Sequence, residues 1–215
     1  MVSTRTARNA GISAAVLFWT ALPVMAALYP GYSHYTRAIS ELGAFGAPHA
    51  LAWNLLGFAV PGVLLAISGA GIARSIDGRR TLLFWLLVLS ALSLTGAGAF
   101  PAEMHDGSPA MRSGWTAAHL IMVLASSFFW IGAAFVLVVR VNRNPRWQHK
   151  RGFGRSLAVI AVIGMAINIL ARAIPVMADR PGLAQRVAFA AYFAWFLVAG
   201  WSFLAVEPRL KHSAA

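Results

Sequence analysis

LAWNLLGFAVPGVLLAISGAGIA, residues 51–73, and TLLFWLLVLSALSLTGAGAF, residues 81–100, are two apolar runs without a single charged side chain. They are separated only by Arg74-Ser75-Ile76-Asp77-Gly78-Arg79-Arg80. An α-helix rises about 1.5 Å per residue, so about 20 residues cross a hydrocarbon core roughly 30 Å thick. Inside lipid no water satisfies backbone N–H and C=O groups, so a run of this kind must be helical. The short basic turn then reads as a reversal at a membrane surface.

The same reading extends along the chain. Apolar spans are expected at about 11–29, 51–73, 81–100, 115–139, 156–177 and 185–205, an all-α membrane bundle of six helices forming one domain. Composition agrees: 59% of residues are hydrophobic and 11% charged, with a mean hydropathy of +0.68, against roughly 25% charged in soluble domains. Val24-Met25-Ala26 resembles a signal-peptidase site, but the first run is long for a signal segment and is expected to remain as a span.

The formal charge of +12 does not point to nucleic acid, because the basic residues sit in short clusters between apolar runs. That pattern is topological. With six spans, 13 of the 18 Lys and Arg fall on the side of the termini, among them the group from Arg140 to Arg155. The positive-inside rule therefore places both termini in the cytoplasm of a multi-pass cell-membrane protein whose partners include membrane lipids. On the outer side are Glu41, Glu103, Asp106 and Asp179, with His34, His49, His105 and His119. There is no cysteine, which removes disulfides, thiolate metal sites and thiol catalysis.

The chemistry-bearing residues concentrate in that outer side. If Ser33 to Glu41 forms a helical turn, Arg37 and Glu41 make an i, i+4 pair with His34 beside Arg37. Glu41 is then either one half of a structural ion pair or a partly buried acid or base, with His34 a second titrating group. Glu103, His105, Asp106 and His119 are metal-ligand types but lack ligand spacing, so no metal or cofactor is expected. A haem held by His49 and His119 is a weaker alternative to helix-entrance histidines bonded to loop carbonyls. Asn168, Arg172 and Asp179 share a helix face, where Arg172 either pairs with a carboxylate or, with Arg37 and Arg186, holds an anionic group. Asn54, Ser126 and Ser127 are read as interhelical hydrogen-bonding groups. No nucleophile elbow or Walker-type phosphate loop is present.

The run Gly31 to His49, with Ser40-Glu41-Leu42-Gly43 at its centre and Gly46-Ala47-Pro48-His49 at its end, resembles the domain-of-unknown-function 998 family of six-helix membrane proteins. Phe100-Pro101-Ala102-Glu103, His119, and Gly182-Leu183-Ala184-Gln185-Arg186 resemble further elements of that family in the same order. Many relatives carry cysteines near the third helix, which this chain lacks. A more distant likeness to the FRAG, DRAM and Sfk group implies a shared fold alone.

Three functions are carried forward. The first is a binding protein or enzyme taking a lipid-like or isoprenoid molecule laterally from the bilayer. In it Glu41 leads as acid or base, with Glu103, His119 and His34. Arg37, Arg172, Arg186, Asn54, His49 and Asn168 hold the polar end, and aromatic residues such as Tyr192 enclose the tail. The second is a small-solute or proton-coupled transporter, disfavoured because ionisable groups do not continue toward the midplane. The third is a scaffold subunit whose outer cluster is structural.

Overall fold

The computed structural model describes residues 2–78, 80–105, 108–110, 113–170 and 179–204. Six long helices carry the architecture: α1 Thr4–Ala27, α2 Ala50–Asp77, α3 Leu82–Ala99, α4 Gly114–Arg143, α5 Arg151–Leu170 and α6 Pro181–Phe203. Five of them, all except α5, are long and apolar enough over the described residues to cross a membrane. The chain is thus a multi-pass helical membrane protein. The other described elements are small: 3-10 turns at Ile39–Gly43 and Pro145–Lys150, and a two-residue antiparallel ladder of β1 Met104–His105 with β2 Ser108–Pro109.

Several helices outrun the apolar spans expected for them, because helical hydrogen bonding continues into water after the lipid ends. The α1 helix starts at Thr4, seven residues before the first apolar run, because Ser3 caps it by accepting the Thr6 N–H at 3.0 Å. At the far end of α4, the helix persists through Arg140 and Arg143, cations favourable at a helix C-terminus, until Asn144 adopts an extended conformation. Within α2, residues Asn54–Ala59 widen into a π-helical segment before regular α geometry resumes at Val60.

Small side chains bring the helices together. A Cβ added at Gly62 of α2 would lie 2.3 Å from Thr95 Oγ1 and 2.7 Å from the Ala91 carbonyl oxygen, so the Ala91/Thr95 stripe of α3 packs directly on that glycine. Aromatic side chains fill the interior toward the Glu41 end: Phe18 stacks on Phe189 with centroids 5.0 Å apart, and Trp53 and Phe193 close around Phe18. Consecutive helices run in opposite directions, so the connections gather at two ends. At one end the Phe45 N–H donates to Ala102 O and the Leu183 N–H to Tyr35 O, tying the α1–α2 connection to the α3–α4 connection and to the first turn of α6. At the other, Asn144 Nδ2 donates to Ile76 O, and Ser75 and Lys150 donate to the last carbonyls of α6.

Candidate functional site

The polar cluster of the Glu41 end is built on the connection between α1 and α2. Its backbone turns at residues 34–37, extends at Ala38 (ψ 149°) and re-enters a 3-10 turn at Ile39. The continuous helical turn expected over Ser33–Glu41 is therefore absent. The extended Ala38 makes room for a cap: its N–H donates to Glu41 Oε1 at 2.7 Å, while Glu41 Oε2 lies 3.8 Å from Arg37 Nη1. The expected Arg37–Glu41 pair exists, and the carboxylate is 4% exposed. Burial pushes the Glu41 carboxyl above the ordinary range, opposed by the Ala38 N–H and then by Arg37 and Arg186.

Arg186, one turn into α6, organises the rest. Its Nε donates to His34 Nδ1 at 3.1 Å, Nη1 to the carbonyls of Gly182 (2.8 Å) and Arg37 (3.1 Å), and Nη2 to Tyr32 Oη at 2.9 Å. The Tyr32 hydroxyl in turn donates to Ala38 O at 2.8 Å, and the Ile39 N–H donates to Gln185 Oε1 at 2.7 Å. A planar guanidinium suits this task because its five N–H donors fan out in fixed directions. Close docking also needs Gly182, where a Cβ would lie 2.3 Å from the Arg37 carbonyl oxygen and 2.9 Å from those of His34 and Tyr35. His34 thus gains Arg186 as a partner, one that the sequence did not pair with it. Desolvation and then the Arg186 charge lower its pKa, while burial raises that of Tyr32.

The remaining sequence candidates divide. Asn54 is buried at the start of the π-helical segment and donates from Nδ2 to Gly43 O at 2.9 Å, anchoring the Ser-Glu-Leu-Gly turn to α2. His119 is buried near the start of α4, with Nδ1 2.9 Å from the carbonyls of both Ala97 and Phe100. Carbonyls only accept, so Nδ1 carries the proton, and the ring caps the C-terminus of α3. Glu103 receives Ala110 N–H at its carbonyl and donates its own N–H to Thr116 Oγ1, and its Oε2 is buried without a hydrogen-bond partner among the described residues. His49 is exposed in a left-handed conformation (φ 56°) ahead of α2. Arg172 and Asp106, and the side chains of Asn168 and His105, lie outside the described residues. Among those described, no three His, Asp or Glu side chains are grouped to hold a metal ion.

Tyr192 lies away from this cluster. Its hydroxyl is 3.0 Å from Ser90 Oγ, which donates to Ser126 O at 2.8 Å, so α6, α3 and α4 are joined by one hydroxyl chain. A groove of about 430 Å³ does lie at the Glu41 end, between Ala44–Gly46, the first turns of α2 and the end of α3, lined by Leu51, Asn54, Leu55, Thr95 and Pro101. Sequence reasoning missed Tyr32, Thr116 and Ser90, whose roles depend on distant partners. The Gln185 role was accessible only through motif resemblance.

The sequence model of the family described as protein of unknown function DUF998 matches residues 12–202. The chain belongs to that family. In this DUF998 protein the two motifs, Gly31–His49 and Gly182–Arg186, are therefore halves of one interlocked structure. Two relatives called probable membrane transporter protein, from Xylella fastidiosa strains 9a5c and Temecula1 / ATCC 700964, are 32% and 31% identical over 116 residues. Those residues are 52% of this chain and 44% of each relative, so the match spans less than half of those proteins. No solved structure matches the chain.

Proposed function

We propose that this DUF998 protein binds a lipid-like or isoprenoid molecule that enters sideways from the bilayer at the Glu41 end, with that end facing outward. The observation that carries the reading is the 430 Å³ groove between α2 and α3, whose walls are apolar apart from Asn54 and Thr95. Its size falls in the range of ligand sites, and its few polar groups suit orientation of one polar end. The groove borders the turn held by Asn54, so an occupant would touch the structure that positions Glu41. Acid/base chemistry by Glu41 on such a molecule is a further step of the same proposal, supported by its upward-shifted carboxyl.

The test is photo-crosslinking from a benzophenone amino acid at Leu55, which lines the groove and is 48% exposed, against the same probe at Leu92, a lipid-facing residue of α3 that is 44% exposed. A discrete lipid species captured at 55 and not at 92 is the expected result. Identical bulk phospholipid adducts at both positions would refute the reading. Transport is the second reading, supported by the names of the Xylella relatives. It predicts solute flux in proteoliposomes that Glu41→Gln abolishes, and unchanged flux would remove Glu41 from that scheme.

A further inference from the structure

At the opposite end of the bundle, Arg8 occupies the second turn of α1 in a setting that an isolated cation does not favour. Its Nε is buried and has no hydrogen-bond partner among the described residues, and its guanidinium lies 5.5 Å from the centroid of Trp201. No described carboxylate pairs with it: Glu41 bonds within its own turn, Asp77 is held by Thr81 and Arg140, and Glu103 and Asp179 lie at the far end. Such a charge near lipid is costly unless an anion meets it or the side chain reaches the headgroup layer.

Beside Arg8 runs a groove of about 390 Å³, walled by Ile12 of α1, Phe153 of α5, and Phe196, Leu197 and Trp201 of α6. Its lining is apolar except at the Arg8 end and at Ser202. Trp201 is 68% exposed, an amphipathic ring of the kind that anchors helices at a membrane surface. A slot with greasy walls and one unmatched guanidinium at its mouth has the polarity of an anionic amphiphile: acyl chain along Phe153 and Leu197, phosphate at Arg8. A guanidinium matches phosphate oxygens by paired hydrogen bonds, and the Arg8 Nε has no acceptor among the described residues.

We infer that the groove between α1, α5 and α6 is a specific binding site for an acidic glycerophospholipid of the bilayer, with Arg8 as its phosphate ligand. The site is separate from the groove between α2 and α3 and stands whether or not that one binds a lipid.

The full-length protein, reconstituted into phosphatidylcholine vesicles, tests it. A small fraction of phosphatidylglycerol with brominated chains is added, and tryptophan quenching is compared with that by brominated phosphatidylcholine at the same fraction. The expected result is an excess of quenching by the acidic lipid that Trp201→Phe largely removes. In Arg8→Gln the apparent affinity for the acidic lipid should fall by at least about tenfold, the factor that goes with losing one hydrogen bond between charged groups. Arg5→Gln, altering an exposed residue of the first turn of α1, should leave the excess in place. Equal quenching by both lipids in the wild type overturns the inference, as does an Arg8→Gln protein with wild-type helicity and an undiminished excess. Equal losses in the Arg5 and Arg8 variants also overturn it, since they show diffuse surface attraction.

Discussion

Replacing Arg186 by alanine removes four hydrogen bonds at once, from Nε, Nη1 twice and Nη2. It leaves the carbonyl of Arg37 without this donor and unlatches the α1–α2 connection from α6. Hydrogen bonds to charged groups contribute roughly 1.5–3 kcal/mol each when well buried. His34 is exposed and the Arg186 network only part-buried, so the four bonds together are taken as about 3 kcal/mol, near the value of one or two good ones. At roughly 2–4 °C per kcal/mol for a chain of this length, the unfolding midpoint in detergent should fall by about 6–12 °C. Arg186→Lys should recover only part of this, because an ammonium has three donors on one nitrogen and cannot span Tyr32, His34 and Gly182 together. The assay is thermal unfolding followed by tryptophan fluorescence, with proteolysis of the 32–41 segment as a local readout. A midpoint within about 2 °C of wild type for the alanine variant, a loss below 1 kcal/mol on the same scale, would refute the claim that Arg186 latches the connection.

Gly182→Ala should destabilise by about 1–3 kcal/mol, since its methyl group meets three backbone carbonyls that cannot rotate away, and should disturb the same segment in proteolysis. Gly114→Ala, where a Cβ meets nothing within 4 Å, is the matched control. Because burial raises the Glu41 pKa, the folded state holds its proton more tightly than the unfolded state. Stability should therefore decline as pH rises from the ordinary carboxylate range through the raised value, and Glu41→Gln should flatten that decline. His34 acts in the opposite sense, its lowered pKa making stability rise with pH up to its ordinary value, so the difference between wild-type and Gln curves is the quantity to read. Tyr192→Phe should cost about 0.5–1.5 kcal/mol, and a double-mutant cycle with Ser90→Ala should show positive coupling, while strict additivity would exclude the hydroxyl chain.

Helix number and membrane character are legible in residues 51–100 because lipid imposes a one-dimensional rule: an uncharged run of sufficient length must satisfy its backbone internally, and a basic turn ends it. The gathering of Glu41, His34 and Arg37 at one end follows from the same alternation of helix directions. What the linear sequence left open is which groups meet. Arg186 and His34 are separated by 152 positions, and Tyr192 and Ser90 by 102. Their pairing depends on how α6 settles against the rest of the bundle, which is set by small contacts such as Gly182 against three carbonyls. That Arg8 has no carboxylate partner among the described residues is likewise a tertiary property, since its charge is plain in the sequence but its neighbours are not. Periodicity and charge determined the layers of this protein, because they act along each segment separately. Steric fit and hydrogen-bond satisfaction between segments decided the latch, because those energies exist only once the helices are side by side.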